Sequence, residues 1–485
     1  MPFGGSVERG TGGAAREGVT GMDRVYRAGT VQYNVPNKPT WAEDYFPENG
    51  RSQVLEIRPF RGTLYNPLVV EDFSRVVAPP YDVIDDRCRD QLLARSPYNI
   101  VRLILQVEPG ESRFWHRSAA LFRAWKMGEV LVPDIRPGFY VHRQTFSSPL
   151  GGTLSRTGLI AALRCRPLGT SVLPHERTFP NVRRERLHLL RACRANFSQV
   201  FTIFRDPGEE VLSLLEGVAA DIPLLEFRDQ EGVEHRLWRL DSQEGMQALA
   251  RAVSDRLLII ADGHHRYETA LAYSRETGAE ARPEEAAGYV SVTMVRTEDP
   301  GLLVLPVHRV LETPLPGMRE MEERLAPYFE SFRLSGDAGR RKGPLVESLR
   351  ETERTAFVLA TREGLARFIL RPGVEPHKVI RGPESRRWKE LDISVLHALA
   401  LEKCLGLDTV NLAEEGKLRY TPWESQALDA VAGGKAEAAI LVRPPSVEDI
   451  WEIAEGGERM PHKSSYFHPK LPSGLVIYDH QTAFR

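Results

Sequence analysis

Leu257-Leu258-Ile259-Ile260-Ala261, mostly apolar, runs without a spacer into Asp262-Gly263-His264-His265-Arg266-Tyr267-Glu268-Thr269-Ala270. The apolar run predicts a buried strand, and the Asp-Gly step a break that opens a helix. Tyr267, Ala270, Leu271 and Ser274 then recur at helical spacing, so one face of that helix is expected to pack, with Gly278 ending it. The first amides of a helix lack intrahelical partners, and the dipole adds positive potential there. His264, His265 and Arg266 on that turn are expected to add charge, which makes the corner an anion site, phosphate first among candidates. The carboxyl end of a buried strand is also where α/β folds place ligands. A plainer reading makes Asp262 an N-cap and the two histidines surface residues. The density of polar groups directly after the strand favours the site.

A second cluster lies upstream, in Leu173-Pro174-His175-Glu176-Arg177-Thr178 and a basic helix from about Arg183 to Ala195. Arg184, His188 and Arg191 share one face of that helix, a stripe that suits a phosphorylated or carboxylated ligand, or a solvated face paired with acidic neighbours. Glu176, between a histidine and an arginine, is the leading candidate general base. Pro79-Pro80-Tyr81-Asp82 forms a stiff loop in which helix is forbidden. Asp85 is expected to cap a helix ending near Ser96-Pro97, and Asn99 to Leu105 reads as a strand. Tyr81, Asp82, Asn99 and Arg102 are thus polar groups placed beside rigid segments. Near the end, Met460-Pro461-His462-Lys463-Ser464-Ser465-Tyr466-Phe467-His468-Pro469-Lys470 offers two lysines and two hydroxyls as phosphate donors, Lys463, Ser464 and Lys470 foremost.

The chain has 485 residues, 42% hydrophobic and 27% charged, with a formal net charge of -2. That near-neutral balance gives no general attraction to nucleic acid or anionic membrane, so any phosphate site must be local. Cys88, Cys165, Cys193 and Cys404 have no C-x-x-C spacing and suit a reduced, cytoplasmic setting. No apolar run approaches the roughly 18–20 residues of a membrane span, and the N-terminus lacks the apolar core of a signal peptide. The Walker, dinucleotide-fingerprint, nucleophile-elbow and zincin patterns are all missing. Residues 1–53, Gly-rich and polar, read as a flexible extension. A first body over 54–312 carries the corner; a second over 313–485, mixing amphipathic helices with strands such as Ala356 to Ala360, contributes its C-terminal cluster.

Five segments occur in one order: Ile57-Arg58-Pro59-Phe60, Val77-Ala78-Pro79-Pro80-Tyr81-Asp82-Val83, Ser96-Pro97-Tyr98-Asn99, Leu173 to Thr178, and Ala261 to Ala270. With Met460 to Lys470 they closely resemble the domain-of-unknown-function family 1015, over roughly 54–480. The Asp-Gly-His-His-Arg corner is also similar to the phosphate-binding corner of the ParB/sulfiredoxin superfamily. Free-serine kinases carry a similar Asp-Gly-His-x-Arg, matched by Asp262, Gly263, His264 and Arg266; His265 departs from the residue expected between them. Sulfiredoxin activity would need a cysteine where His264 stands.

The resemblance implies an α+β fold with a ParB/sulfiredoxin-like core, a mixed sheet and additional α/β structure. It implies a phosphotransferase acting on free L-serine to give O-phosphoserine, with pyrophosphate, ADP or ATP as donor and Mg²⁺ as the expected cofactor. Asp262, His264, His265, Arg266 and Glu176 would form the reactive centre, with Glu176 or Asp262 as the base, and Gly263 would belong to the phosphate-binding set. His175, Arg177, Tyr81, Asp82, Asn99, Arg102, Lys463, Ser464 and Lys470 would line it. The alternatives are a phosphoserine phosphatase using the same pocket, and a non-catalytic nucleotide- or DNA-binding module; no recognition helix is evident for the latter.

Overall fold

The computed structural model describes residues 54–107, 113–334 and 345–485, so the expectation for the N-terminal extension lies outside the described residues. Its centre is a nine-stranded mixed sheet: β1 (Ile57–Arg58), β2 (Phe139–Ser147), β3 (Thr153–Arg164), β4 (Val172–Pro174), β5 (Val200–Phe204), β6 (Leu225–Arg228), β7 (Glu234–Leu240), β8 (Leu258–Asp262) and β9 (Tyr289–Arg296). The order is β4-β8-β5-β9-β3-β2-β7-β6, with β1 on β3. The pairs β8–β4 and β9–β5 are parallel and the others antiparallel. The chain therefore has the large mixed sheet expected of an α+β fold, with additional sheets and helices around it.

β8 reads as a continuous apolar run because both of its faces are buried. Leu258 and Ile260 enter one core with Val211 and Leu215 of α5 (Glu210–Ala219), Leu249 and Val253 of α6 (Gln243–Val253), and Tyr267, Ala270 and Leu271 of α7 (His264–Glu276). Ile259 and Ala261 enter the opposite core, which also holds Met460, Phe467 and Leu471 from the C-terminal segment. The strand register shifts between Ile260 and Asp262, an irregularity that re-aims the last side chain of the strand. Gly263 at φ 91° then turns the chain into α7, a left-handed conformation that glycine adopts without penalty. The expected packed stripe Tyr267, Ala270, Leu271, Ser274 is buried throughout, and Gly278 follows the helix end at φ 72°.

The second sheet has six strands: β11 (His308–Leu311), β12 (Phe329–Leu334), β13 (Ala356–Thr361), β14 (Gly364–Leu370), β15 (Leu418–Thr421) and β16 (Ala438–Val442), in the order β12-β14-β13-β16-β11-β15. Just before it, β10 (Leu303–Leu305) pairs antiparallel with β17 (Tyr466–His468). Buried Arg156 and Gln144 on the large sheet hold the chain at and beyond the end of β17. Arg156 donates to the carbonyls of His468 (3.2 Å) and Pro469 (2.6 Å), and Gln144 to that of Lys470 (3.1 Å). The C-terminal segment is thereby seated on the β8 corner.

Asp85 caps α1 (Asp86–Arg95) through the Cys88 amide, as expected. Residues 99–105, read as a strand, instead form a short helix α2 (Val101–Ile104). The Asn99 side chain accepts from the Val101 amide (3.0 Å) and so sets a turn at its start. A local hydrogen bond overrides the strand preference of Ile-Val-x-Leu-Ile-Leu.

Candidate functional site

Four segments converge at the corner. Asp262 ends β8 with both carboxylate oxygens occupied: Arg266 Nη2 lies 2.6 Å from one and Lys470 Nζ 2.5 Å from the other. Burial alone would raise its carboxyl pKa, but Lys470 and Arg266 together hold it well below the ordinary range. Asp262 is therefore an anion locked between two cations. Arg266 folds back over Gly263, so a Cβ there would sit 2.9 Å from the guanidinium. Its Nη1 donates to Ser198 Oγ (3.1 Å) and to the Gln199 carbonyl.

The histidines do not carry the charge expected of them. His264 is buried, and its Nε2 accepts from the amides of His175 (3.2 Å) and Glu176 (3.3 Å). Burial, with His175 adding to it, pushes its pKa well down. His265 Nε2 accepts from the Phe179 amide (2.8 Å), and burial lowers its pKa too. An imidazole nitrogen that accepts from an N–H is unprotonated, so both rings are neutral anchors for the loop after β4 (residues 175–179). Positive charge at the corner comes instead from α7's first amides, Lys470 and the exposed Arg177 and Lys463. The amides of His264, His265 and Arg266 precede the first helical bond, from Tyr267 N–H to Gly263 O at 3.0 Å.

His175 is fully buried, with Nδ1 2.6 Å from the Ile260 carbonyl and Nε2 2.9 Å from Ser465 Oγ. Since a carbonyl only accepts, Nδ1 carries the proton and Nε2 accepts from the serine. Burial keeps this imidazole below its ordinary pKa despite the opposing pull of Glu176, whose carboxylate reaches within 4.0 Å of Nε2. The Met460 amide donates to the His175 carbonyl (2.8 Å), tying the C-terminal cluster to the same loop. Glu176 is partly exposed, at 24% for its side chain, and His264 fixes its backbone.

Tyr81 stacks under the Arg186 guanidinium at 4.2 Å, and its pKa is pushed to about 12, chiefly by burial. Exposed Asp82 acts electrostatically on His265, Tyr81 and Tyr466. The remaining expected ligand residues turn inward. Asn99 Nδ2 donates to the carbonyls of Arg75 (2.8 Å) and Val77 (3.1 Å), which positions the loop carrying Tyr81. Arg102 donates to the Leu93 carbonyl (2.8 Å), and buried Ser464 to that of Pro461. The basic stripe of α4 (Pro180–Cys193) follows its solvated reading: Arg184 is exposed, His188 stacks on Trp115 of α3 (Phe114–Met127), and Arg191 pairs with Glu276. Reasoning from sequence did not single out Ser198, Gln199 or Arg459, whose charge acts on His175 and His264. It placed Ser465 in the cluster but gave the weight to its neighbour Ser464.

Among the described residues, no group of three or more His, Cys, Asp or Glu side chains forms a metal cage. Mg²⁺ carried on phosphate oxygens needs only one or two carboxylates. Asp82 fits that demand, whereas Asp262, with both oxygens committed to cations, does not.

These features define a mixed α/β protein with a strand-to-helix corner, at Asp262 to Arg266, covered by its own C-terminal segment. The chain belongs to DUF1015, a family described as proteins of unknown function, whose pattern matches residues 57–394. None of the curated proteins compared with the chain matches it. Among solved structures it is similar to a free serine kinase in complex with AMP, at 15% identity and TM-score 0.32, covering 62% of this chain and 88% of that one. It is similar too to a conserved hypothetical protein from Pyrococcus furiosus (14% identity, TM-score 0.31, 63% and 91% covered). A third is SbnI with C-terminal truncation from Staphylococcus aureus (10%, 0.29, 65% and 86%). Similarity at this level carries no argument about chemistry. Among the described residues no helix is long and apolar enough to cross a membrane.

Proposed function

We propose that the chain is a small-molecule phosphotransferase that places a phosphoryl group on the hydroxyl of free L-serine, drawing on pyrophosphate, ADP or ATP. The observation that carries the transfer reading is the corner itself. Unpaired first-turn amides of α7, exposed Lys463 and Arg177, and a partly exposed Glu176 on an anchored backbone stand around one strand end. Phosphoryl transfer requires charge neutralisation of the equatorial oxygens, alignment, and a base for the attacking hydroxyl. The amides and the two exposed cations supply the first. The rigid loop held by His264 and His265 supplies the second. Glu176 accepts the hydroxyl proton, and Asp82 meets the acceptor's ammonium or a metal ion. Mg²⁺ bound on the donor would add neutralisation of its oxygens. The choice of serine is supported by the Asp262-Gly263-His264-x-Arg266 resemblance to free-serine kinases.

The test is incubation of the full chain with Mg²⁺, L-serine and, separately, pyrophosphate, ADP and ATP. Phosphoserine is expected with at least one donor. Absence of product with all three, together with no phosphate release from phosphoserine, overturns the reading.

A further inference from the structure

The pair Ser465–His175 has the geometry of an activated nucleophile. A hydroxyl lies within hydrogen-bond reach of an unprotonated imidazole nitrogen, and a third group orients the ring through its other nitrogen. Here the distances are 2.9 Å from Ser465 Oγ to His175 Nε2 and 2.6 Å from Nδ1 to the Ile260 carbonyl. The imidazole is buried, and it also packs edge-on to Phe467 of the same segment at 6.0 Å, so the ring is held rigidly against the hydroxyl. Ser464, its neighbour, is buried and donates inward to Pro461, whereas Ser465 is partly exposed and, among the described residues, its hydroxyl bonds to the imidazole alone. The carboxylate of Glu176, 4.0 Å from the same Nε2, is placed to stabilise the imidazolium that forms once the ring takes a proton. The His175 ring stands 4.7 Å from that of His264, the first residue of α7, so the imidazole that Ser465 meets is the one packed against the start of that helix.

We propose that Ser465 is a covalent phosphoryl carrier, a reading that rests on the phosphotransferase assignment of the same corner. In the first half, Ser465 Oγ attacks the donor's terminal phosphorus, forming Oγ–P and breaking the bond from that phosphorus to the bridging oxygen. His175 Nε2 takes the hydroxyl proton, and phosphate (from pyrophosphate) or the shortened nucleotide departs with the bridging electron pair. In the second half, the acceptor hydroxyl attacks the same phosphorus while Glu176 takes its proton. The P–Oγ bond breaks, and His175 returns its proton to Ser465 Oγ. No oxidant or further reactant is needed.

The experiment is incubation of the full chain with Mg²⁺ and ³²P-labelled pyrophosphate or γ-labelled ATP without acceptor, followed by acid quench and peptide mapping. Acid-stable label on Ser465 is expected, discharged when L-serine is added, with parallel-line initial-rate patterns for donor against acceptor. Ser465→Ala should abolish the label and lower kcat by about a hundredfold or more, while Ser465→Thr should still take label at the hydroxyl. A residue that merely orients His175 would lower kcat without ever carrying label. Product formation with no label on Ser465 and intersecting rate patterns overturns the carrier and leaves the kinase reading intact. Label without phosphoserine product supports the carrier and overturns serine as acceptor. No label with either donor overturns the carrier whatever the acceptor.

Discussion

Asp262→Asn tests the lock at the centre of the corner. The amide preserves size and one acceptor oxygen but removes the charge shared by Arg266 at 2.6 Å and Lys470 at 2.5 Å, and its NH₂ then faces a cation. Removing one partner of a buried ion pair costs about 3–5 kcal/mol. Two features lower that here. The three side chains retain 12–13% exposure. Each cation also keeps other partners: Arg266 has Ser198 and Gln199, and Lys470 lies 4.4 Å from the Tyr466 ring centre. The expected loss is therefore about 2–4 kcal/mol, read as a fall in the urea midpoint with unchanged m. Because the folded-state carboxyl is held below its ordinary 3.8, its contribution is complete above the unfolded pKa and fades as pH falls below it. The gap between wild type and variant should be flat from about pH 5 to 8 and shrink below about pH 4. Combined with Lys470→Met, the variant should show a coupling of about 1 kcal/mol or more. A loss under about 1 kcal/mol, or a gap that widens in acid, would refute the lock.

Gly263→Ala places a left-handed alanine against the Arg266 guanidinium; it should cost about 1–3 kcal/mol and weaken pyrophosphate binding in titration calorimetry. Asn99→Ala strips partners from the Arg75 and Val77 carbonyls and the Val101 amide; about 1–3 kcal/mol of stability should be lost, read as a fall in the urea midpoint. Burial pushes His480 and His308 to about 3 and holds His264 and His142 well below their ordinary 6.5. The unfolded chain therefore binds the extra protons, and stability should fall as pH drops below about 6.5, by up to about 1.4 kcal/mol per pH unit for each ring; denaturant midpoints between pH 7 and 5 check this, and a flat profile would contradict it. Arg184→Ala, on the solvated face of α4, should leave both stability and activity within error.

The strand–turn–helix unit was legible because three local signals agree: an apolar run buried on both faces, a glycine at the turn, and helical periodicity after it. The convergence of 175–179 and 460–470 on that unit was legible only as a list of polar clusters. What joins them is a set of long-range bonds, Met460 N–H to His175 O and Arg156 to the carbonyls of 468 and 469, that leave no periodic trace. The same limit explains the charge of the histidines. His264 and His265 look cationic in sequence, but backbone amides occupy their Nε2 atoms and burial keeps them neutral. Asn99 and Arg102 bond backbone carbonyls for a related reason: polar side chains near prolines serve turns as readily as ligands, and only their partners distinguish the two. Ser198 and Gln199 had no signal, since Arg266 recruits a hydroxyl and a backbone carbonyl from another strand's approach.

The most direct measurement is the position of a bound phosphate group, from a crystal of the full chain grown with pyrophosphate and Mg²⁺. A phosphorus centre within hydrogen-bond reach of the His264, His265 and Arg266 amides, with Lys463 or Arg177 turned toward it, is the predicted result. Pyrophosphate bound elsewhere, or a corner that stays unliganded at saturating pyrophosphate, would contradict the account.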